Sequence, residues 1–178
     1  MKSTSGILRR LVLATVLLGL ALPALPQAAG YTVEIIVFRN GTDEGALADS
    51  SARPGFTGAD VVATTVASRK LGGSVTRLNN GGLRVLGHAA WRQAPTPFPQ
   101  TTAALRLRRG VSATQLGVPG ITGKVIFERG TYLHLGVDLL VEDRGKRYRI
   151  TEVRQVKADE IHYFDHPAIG VLAIVSGD

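Results

Sequence analysis

Two histidines and an aspartate near the end of the chain form the cluster best suited to chemistry. In the segment DEIHYFDHPAIG, His162, Asp165 and His166 lie within five residues of one another. Two imidazoles and a carboxylate can hold a divalent metal when the three side chains converge. One interpretation is therefore a metal-dependent hydrolase that uses these residues, with His134 as a further candidate.

The local sequence favours a structural corner over a metal site. The aromatic and β-branched residues of the segment predict a strand, on which positions 162 and 166 would lie about 13 Å apart. A residue before proline is biased toward extended backbone, and an aspartate in a turn accepts bonds from nearby backbone N–H groups. We therefore expect no bound metal, and a fixed corner formed by His162, Asp165, His166 and Pro167.

A second group of residues is suited to binding a carbohydrate or a carboxylate. Trp91 is the only tryptophan, and Arg84 and Arg92 flank it on one predicted strand. An indole ring stacks on the apolar face of a sugar, and an arginine fork fits a carboxylate with two hydrogen bonds. The alternative for Trp91 is packing in the core, as for most lone aromatic residues. Tyr132 and His134 face outward on a predicted hairpin and complete the candidate ligand-binding set.

Several other chemistries lack the residues that they need. The chain has no cysteine, which excludes disulfides, thiolate zinc sites and Cys-x-x-Cys redox centres. It contains neither a Gly-x-Ser-x-Gly nucleophile element nor a glycine-rich phosphate loop. We expect no catalytic residues and no cofactor.

The first thirty residues predict an export signal. Basic residues precede an uncharged apolar run of twelve, and prolines and small residues follow it. The run is shorter than the roughly 20 residues that span a bilayer as a helix. We expect cleavage of residues 1–30, a mature domain of residues 31–178 without a membrane span, and a periplasmic location. Loss of three basic residues lowers the net charge from +7 to +4, a modest value that disfavours nucleic-acid binding.

The distribution of apolar residues predicts the elements that position these side chains. Leu71, Val75 and Leu78 recur at helical spacing, which predicts a helix within residues 67–82. Alternating or β-branched runs predict antiparallel strands at 31–39, 83–93, 102–109, 123–129, 131–142, 146–156 and 168–175. We expect one α+β domain, mainly antiparallel β-sheet of six to seven strands with one or two helices.

One hairpin has a defined register. Alternation within residues 131–142, followed by a two-residue Arg144-Gly145 turn, sets which residues face each other. A shift by one residue would place Leu139 opposite Arg149 and is rejected. The expected pairs are Glu142 with Arg147, Val141 with Tyr148, Leu139 with Ile150, and Asp138 with Thr151.

The first and last strands of the predicted domain are apolar on both faces. YTVEIIVF begins at residue 31, and AIGVLAIV ends at residue 175. A strand without a polar face is typical of the middle of a sheet that is covered on both sides. We therefore expect these two strands to be neighbours in one sheet.

Four blocks, taken in order, resemble the CsiV-type peptidoglycan-binding proteins of Gram-negative bacteria. The blocks are YTVEIIVFRN, LRVLGHAAWRQ, GKVIFERGTYLHLGVDLL and EIHYFDHPAIGVLAIV, and together they extend over the whole mature chain. The last block is the most specific, with Glu160, His162, Tyr163, Asp165, His166, Pro167 and Gly170 in place. Thr131 stands where an arginine is usual, and loop 40–60 lacks an expected tryptophan-bearing stretch.

The resemblance implies a non-enzymatic periplasmic protein that binds peptidoglycan and supports cell-wall synthesis and cell shape. It also implies action with an outer-membrane lipoprotein that activates a penicillin-binding protein. Two alternatives remain open from the residues themselves. One is the metal-dependent hydrolase described above, and the other is a scaffold whose loop 40–60 docks a partner protein.

Overall fold

Two β-sheets and two short helices make up the regular structure of this computed structural model, which describes residues 30–40, 51–67 and 70–177. Residues 1–29 of the predicted leader and residues 41–50 of the predicted loop lie outside these ranges. The strands are β1 (Tyr31–Arg39), β2 (Thr64–Thr65), β3 (Arg84–Gln93), β4 (Thr96–Pro97), β5 (Val111–Ser112), β6 (Ile121–Arg129), β7 (Leu133–Asp143), β8 (Lys146–Val156), β9 (Ile161–Asp165) and β10 (Ile169–Gly177). The helices are α1 (Gly72–Asn80) and α2 (Thr102–Arg106). Neither of them has the length and hydrophobicity that would span a bilayer.

The observed fold confirms the predicted α+β class, with more strands than expected. Three of the ten strands, β2, β4 and β5, have only two residues each, and sequence patterns do not reveal such short pairings. The first sheet has the order β2-β3-β1-β10-β9 and is antiparallel throughout. The second has the order β4-β6-β7-β8, in which β4 runs parallel to β6 and the other neighbours are antiparallel, and β5 also pairs with β6.

The core lies between the two sheets, because alternate residues of each strand point inward. The first sheet contributes Val33, Ile35, Val37, Ala89, Trp91, Val171, Ala173 and Val175. The second contributes Val125, Phe127, Leu135, Val137, Leu139, Val141, Tyr148 and Ile150. Burial of one large apolar side chain stabilises the fold by about 1.5–3 kcal/mol, so this interface holds the sheets together.

Helix α1 covers the outer face of the first sheet. It brings Leu71, Val75 and Leu78 onto Ile36 of β1 and Ile174 of β10. This second apolar layer explains why β1 and β10 lack a polar face. The two strands pair as expected, with Tyr31–Arg39 running along Ile169–Gly177.

The hairpin of β7 and β8 has the predicted register. Glu142 lies opposite Arg147, and Leu139 lies opposite Ile150. The turn residues Arg144 and Gly145 have φ angles of 51° and 74°, as a tight two-residue turn between twisted strands requires. The turn therefore projects the Arg144 side chain at the tip of the hairpin.

The prediction of a strand at residues 102–109 is wrong. Residues Thr102–Arg106 form helix α2, and the Oγ1 atom of Thr101 caps it by accepting a hydrogen bond from the Ala104 N–H at 3.2 Å. The alternation of leucine and arginine in this segment mimics a strand. A threonine cap before an alanine pair favours the helix instead.

Two buried carboxylates attach surface segments to the sheets. Glu34 of β1 accepts hydrogen bonds from the backbone N–H groups of Lys70 and Leu71 at 2.5 and 3.0 Å, and His88 lies 2.5 Å from its Oε1 atom. Asp138 of β7 accepts from the backbone of residues 55 and 56 and from Arg149. Glu34 thus positions the start of α1, and Asp138 holds residues 51–60 against the outer face of the second sheet.

Candidate functional site: a cationic cleft

A cleft of about 580 Å³ lies at the end of the molecule where the β7–β8 turn meets the end of β1. Four cationic side chains and one carboxylate line it, together with Tyr148, Asn40 and Gly82. The charged residues are Arg39, Arg84, Arg144, Lys146 and Asp143. The lining therefore carries an excess of positive charge, which is suited to an anionic ligand.

Arg39 forms the rigid back of the cleft. Its Nη1 atom donates to the Ala168 carbonyl oxygen at 2.9 Å, and its Nη2 atom donates to the Tyr148 hydroxyl at 3.1 Å. The guanidinium also lies 4.5 Å from the centre of the Tyr148 ring, a favourable cation–π geometry. Because these contacts hold its fork, Arg39 contributes a fixed charge to the cleft.

Asp143 is shared between two arginines. Its carboxylate lies 2.5 Å from the Nη2 atom of Arg84 and 3.5 Å from the Nε atom of Arg39. The Arg84 side chain remains 48% exposed, and Arg144 and Lys146 are exposed. Among the residues that line the cleft, positive charges therefore outnumber the single carboxylate, and the side chains of Arg84, Arg144 and Lys146 reach its surface.

The predicted corner lies directly beside this cleft. The His166 carbonyl oxygen accepts from the Asn40 side chain at 2.8 Å, and its Nδ1 atom accepts from the Ala168 N–H at 3.1 Å. Burial lowers the pKa of His166, the Asp165 charge opposes this, and the Arg39 charge lowers the pKa further. A neutral imidazole is also what the Ala168 hydrogen bond requires, since Nδ1 must accept it.

The other residues of the corner do not converge on a common point. His162 lies on β9 and contacts the backbone of Lys157 at 3.3 Å. Asp165 accepts a hydrogen bond from the Tyr163 hydroxyl at 2.7 Å, while burial and this carboxylate raise the pKa of Tyr163. Within the part of the chain that the structure describes, no three histidine, aspartate or glutamate residues are placed to hold a metal ion.

The five predicted ligand-binding residues lie in different places. Arg84 lines the cationic cleft. Trp91 is fully buried, and its Nε1–H donates to the Gln93 side chain at 2.7 Å, so neither ring face is open to a ligand. Arg92 lines a pocket of about 470 Å³ on the other face of β3, next to Lys70.

Tyr132 and His134 lie at the opposite end of the molecule from the cleft. Tyr132 is 57% exposed in the turn between β6 and β7. The His134 ring packs on Phe98, with 4.2 Å between the ring centres. These two residues are therefore not part of the cationic cleft.

Sequence reasoning missed most of the cleft residues. Arg39 is the last residue of a strand without a polar face, and Arg144 and Lys146 lie at the β7–β8 turn, which the hairpin prediction placed correctly. The signal was the run of basic residues around that turn. The sequence does not show that Arg39, at the end of β1, lies beside this turn, because that contact depends on how the two sheets pack.

Comparison with known proteins identifies the family. No curated protein and no solved structure matches the chain. The family model described as "Peptidoglycan-binding protein, CsiV" matches residues 42–176, which confirms the family resemblance and includes the last three of the four sequence blocks. The match begins after β1 and ends at the penultimate residue of β10, and so includes the second sheet and the strands of the first sheet other than β1. The chain therefore belongs to the CsiV family of peptidoglycan-binding proteins.

Proposed function

We propose that this protein is a non-enzymatic accessory factor of the cell envelope that binds peptidoglycan through the cationic cleft. The observation that carries the proposal is the accessible positive charge of Arg84, Arg144 and Lys146 in front of the fixed Arg39. Peptide stems of the wall carry carboxylates, and an arginine fork binds a carboxylate with two hydrogen bonds. The family description supports the ligand class.

Such a cleft would act by binding without turnover. Its side chains are cationic, aromatic or, at Asn40, a neutral amide, and the one carboxylate that lines it, Asp143, is already paired with two arginines. The contacts with a stem carboxylate would be partly exposed to solvent. Binding should therefore weaken as the salt concentration rises, since the Debye length falls from about 10 Å at 0.1 M to about 3 Å at 1 M.

We also propose a periplasmic location and a role in wall synthesis. The predicted leader at residues 1–30 supports export. The family resemblance supports action with an outer-membrane lipoprotein that activates a penicillin-binding protein. Fractionation of cells that produce the full chain tests the location, and retention of all the protein in the cytoplasm would contradict it.

Sedimentation with purified sacculi tests the cleft. In the double variant Arg84→Gln/Arg144→Gln, we expect at least a tenfold loss of sacculus binding at low salt, because two of the three accessible cations are removed. The matched control Arg77→Gln/Lys157→Gln removes the same charge from exposed positions on α1 and beyond β8. Equal losses in the two double variants would reduce the effect to net charge and would refute the assignment of the cleft.

The proposed action with an outer-membrane lipoprotein activator requires its own measurement. Purified lipoprotein activator should retain the protein on an affinity column in the absence of peptidoglycan. Retention that appears only when soluble wall fragments are added would mean that the wall bridges the two proteins. No retention under either condition would refute the partnership and leave the wall-binding proposal unaffected.

A further inference from the structure

A smaller pocket lies at the end of the molecule opposite the cationic cleft. It has a volume of about 220 Å³, and its apolar wall consists of Pro97, Phe98, Pro99 and Leu107. Arg108 and Glu128 line it as well. Glu128 is opposite His134 near the start of β7, and the cleft lies beyond the other end of that strand, about 30 Å away at the usual rise per residue.

Three buried polar atoms have no hydrogen-bond partner, two of them on residues that line this pocket and the third on His134, which packs on the pocket residue Phe98. They are Arg108 Nε, Glu128 Oε2 and His134 Nδ1, and no other buried side-chain nitrogen or oxygen of the described residues shares this condition. Glu128 is only 1% exposed and Arg108 is 9% exposed. Buried polar groups are nearly always hydrogen-bonded, so three exceptions in one place call for an explanation.

The three residues belong to one cluster around Phe98. The Arg108 guanidinium lies 5.5 Å from the centre of the Phe98 ring, and the His134 ring packs on the same ring at 4.2 Å. Arg108 Nε is 3.5 Å from Glu128 Oε1, which is close enough for charge attraction and too long for a good hydrogen bond. Burial raises the pKa of Glu128, and the charge of Arg108 opposes this effect.

This arrangement selects a neutral ligand group. A cation would be repelled by Arg108, and an anion would be repelled by Glu128. A purely apolar group would leave Arg108 Nε and Glu128 Oε2 without hydrogen-bond partners. A group that carries one N–H donor and one carbonyl acceptor satisfies both atoms at once. The apolar wall of Phe98 and the two prolines accommodates a methyl group beside them.

We infer that this pocket binds the acetamido group of an N-acetylated sugar in the glycan strand, an inference that rests on the proposed peptidoglycan binding. The amide N–H would donate to Glu128 Oε2, the carbonyl oxygen would accept from Arg108 Nε, and the methyl group would pack on Phe98. The volume of about 220 Å³ suits a substituent of a sugar better than a whole saccharide, since drug-sized ligand pockets begin near 300 Å³.

Titration with soluble oligosaccharides tests the inference. An N-acetylglucosamine tetramer should bind saturably and shift the His134 and Phe98 signals in NMR spectra. The glucosamine tetramer, which has the same backbone without acetyl groups, should bind at least tenfold more weakly. A free stem peptide provides the other source of amides. Shifts at His134 and Phe98 with the peptide but not with the acetylated sugar would overturn the assignment.

Two variants connect the binding to the pocket. Arg108→Met removes the N–H donor and keeps an unbranched side chain, and Ala104→Leu fills the space from helix α2 without touching the polar atoms. Each should reduce affinity for the acetylated tetramer at least tenfold, whereas Arg77→Gln on α1 should not change it. If Arg108→Met fails to fold, Ala104→Leu still tests whether the acetylated tetramer binds in this pocket.

The outcomes separate this inference from the proposed function. Wild-type protein that sediments with sacculi but binds the two tetramers equally would refute the acetamido pocket and leave peptidoglycan binding intact. Unchanged affinity for the acetylated tetramer in a folded Ala104→Leu variant would refute it too. Acetylated sugar binding that survives Arg84→Gln/Arg144→Gln would support two independent contacts with the wall.

Discussion

Replacement of Asp138 by asparagine should detach residues 51–60 from the second sheet. Asp138 is fully buried, and its Oδ2 atom accepts from the backbone N–H groups of Gly55 and Phe56, the latter at 2.7 Å. Its Oδ1 atom accepts from Arg149 Nε at 2.8 Å. Asparagine keeps the shape but has one acceptor oxygen, so either the two backbone groups or Arg149 must face its NH₂ group.

The structure allows the size of the effect to be worked out. A hydrogen bond to a charged group contributes about 1.5–3 kcal/mol, and a neutral acceptor provides roughly half of that. Weakening of two backbone bonds therefore costs about 1–3 kcal/mol. Loss of the Arg149 bond adds about 1 kcal/mol, a reduced figure because the Arg149 side chain is one-third exposed. We expect Asp138→Asn to lower the free energy of unfolding by about 3 kcal/mol.

Urea unfolding and amide hydrogen exchange measure this change. The loss is a large part of the 5–15 kcal/mol typical of a domain, and it corresponds to a fall in Tm of roughly 10 °C. Protection of the Gly55 and Phe56 amides should disappear first. The control Glu160→Gln removes an exposed carboxylate and should change stability by less than about 0.5 kcal/mol. If the Gly55 and Phe56 amides stayed protected in Asp138→Asn, the anchoring role would be refuted.

Three further predictions concern other anchors of the fold. Because burial lowers the folded pKa of His166 below the usual 6.5, its stabilising contribution is complete above about pH 6.5 and declines as the pH falls through the folded pKa. The His166→Gln variant should flatten this decline in urea midpoints measured from about pH 7 to about pH 5. A pH dependence equal to that of the wild type would contradict the prediction. Gly123→Ala should destabilise the protein by at least about 2 kcal/mol, because φ at this position is +103° and the new methyl group would lie 2.1 Å from the Asp138 carbonyl oxygen. Thermal unfolding measures this change, and a Tm equal to that of the wild type would refute the prediction. Glu34→Gln should cost about 2 kcal/mol and expose the amides of α1 to hydrogen exchange, and full protection of that helix would show that apolar packing alone holds it.

Local patterns predicted the hairpin and the pairing of the terminal strands because a short turn and the hydrophobic pattern of the strands determine both. The turn of Arg144 and Gly145 sets the register of β7 and β8, and a shift would have buried Arg149 opposite Leu139. The β1–β10 pairing followed from two strands without a polar face. In both cases only one arrangement avoids placing charges in the core.

The candidate sites were harder to predict because they depend on contacts between distant segments. Alternation placed Asp138 on a polar face, but it does not distinguish a face in water from one that residues 51–60 cover. Glu128 and Arg108 were not recognised, since Arg108 belongs to a segment that was read as a strand and Glu128 to an ordinary strand pattern. A lone carboxylate within an apolar strand, as at Glu34 and Asp138, is the signal that identifies such anchors.

The antiparallel pairing of β1 and β10 has a practical consequence for labelling and immobilisation. Tyr31 lies opposite Gly177, whereas Arg39 at the far end of β1 lines the cationic cleft. A reporter, affinity tag or surface linker joined beside either residue would therefore emerge about 27 Å from the cleft, the length of eight residues of a strand. The same attachment would lie on the side where Tyr31 contacts Phe127 and Arg129, next to the strand that carries Glu128. Bulky fusions should thus obstruct the acetamido pocket long before they interfere with capture of stem carboxylates.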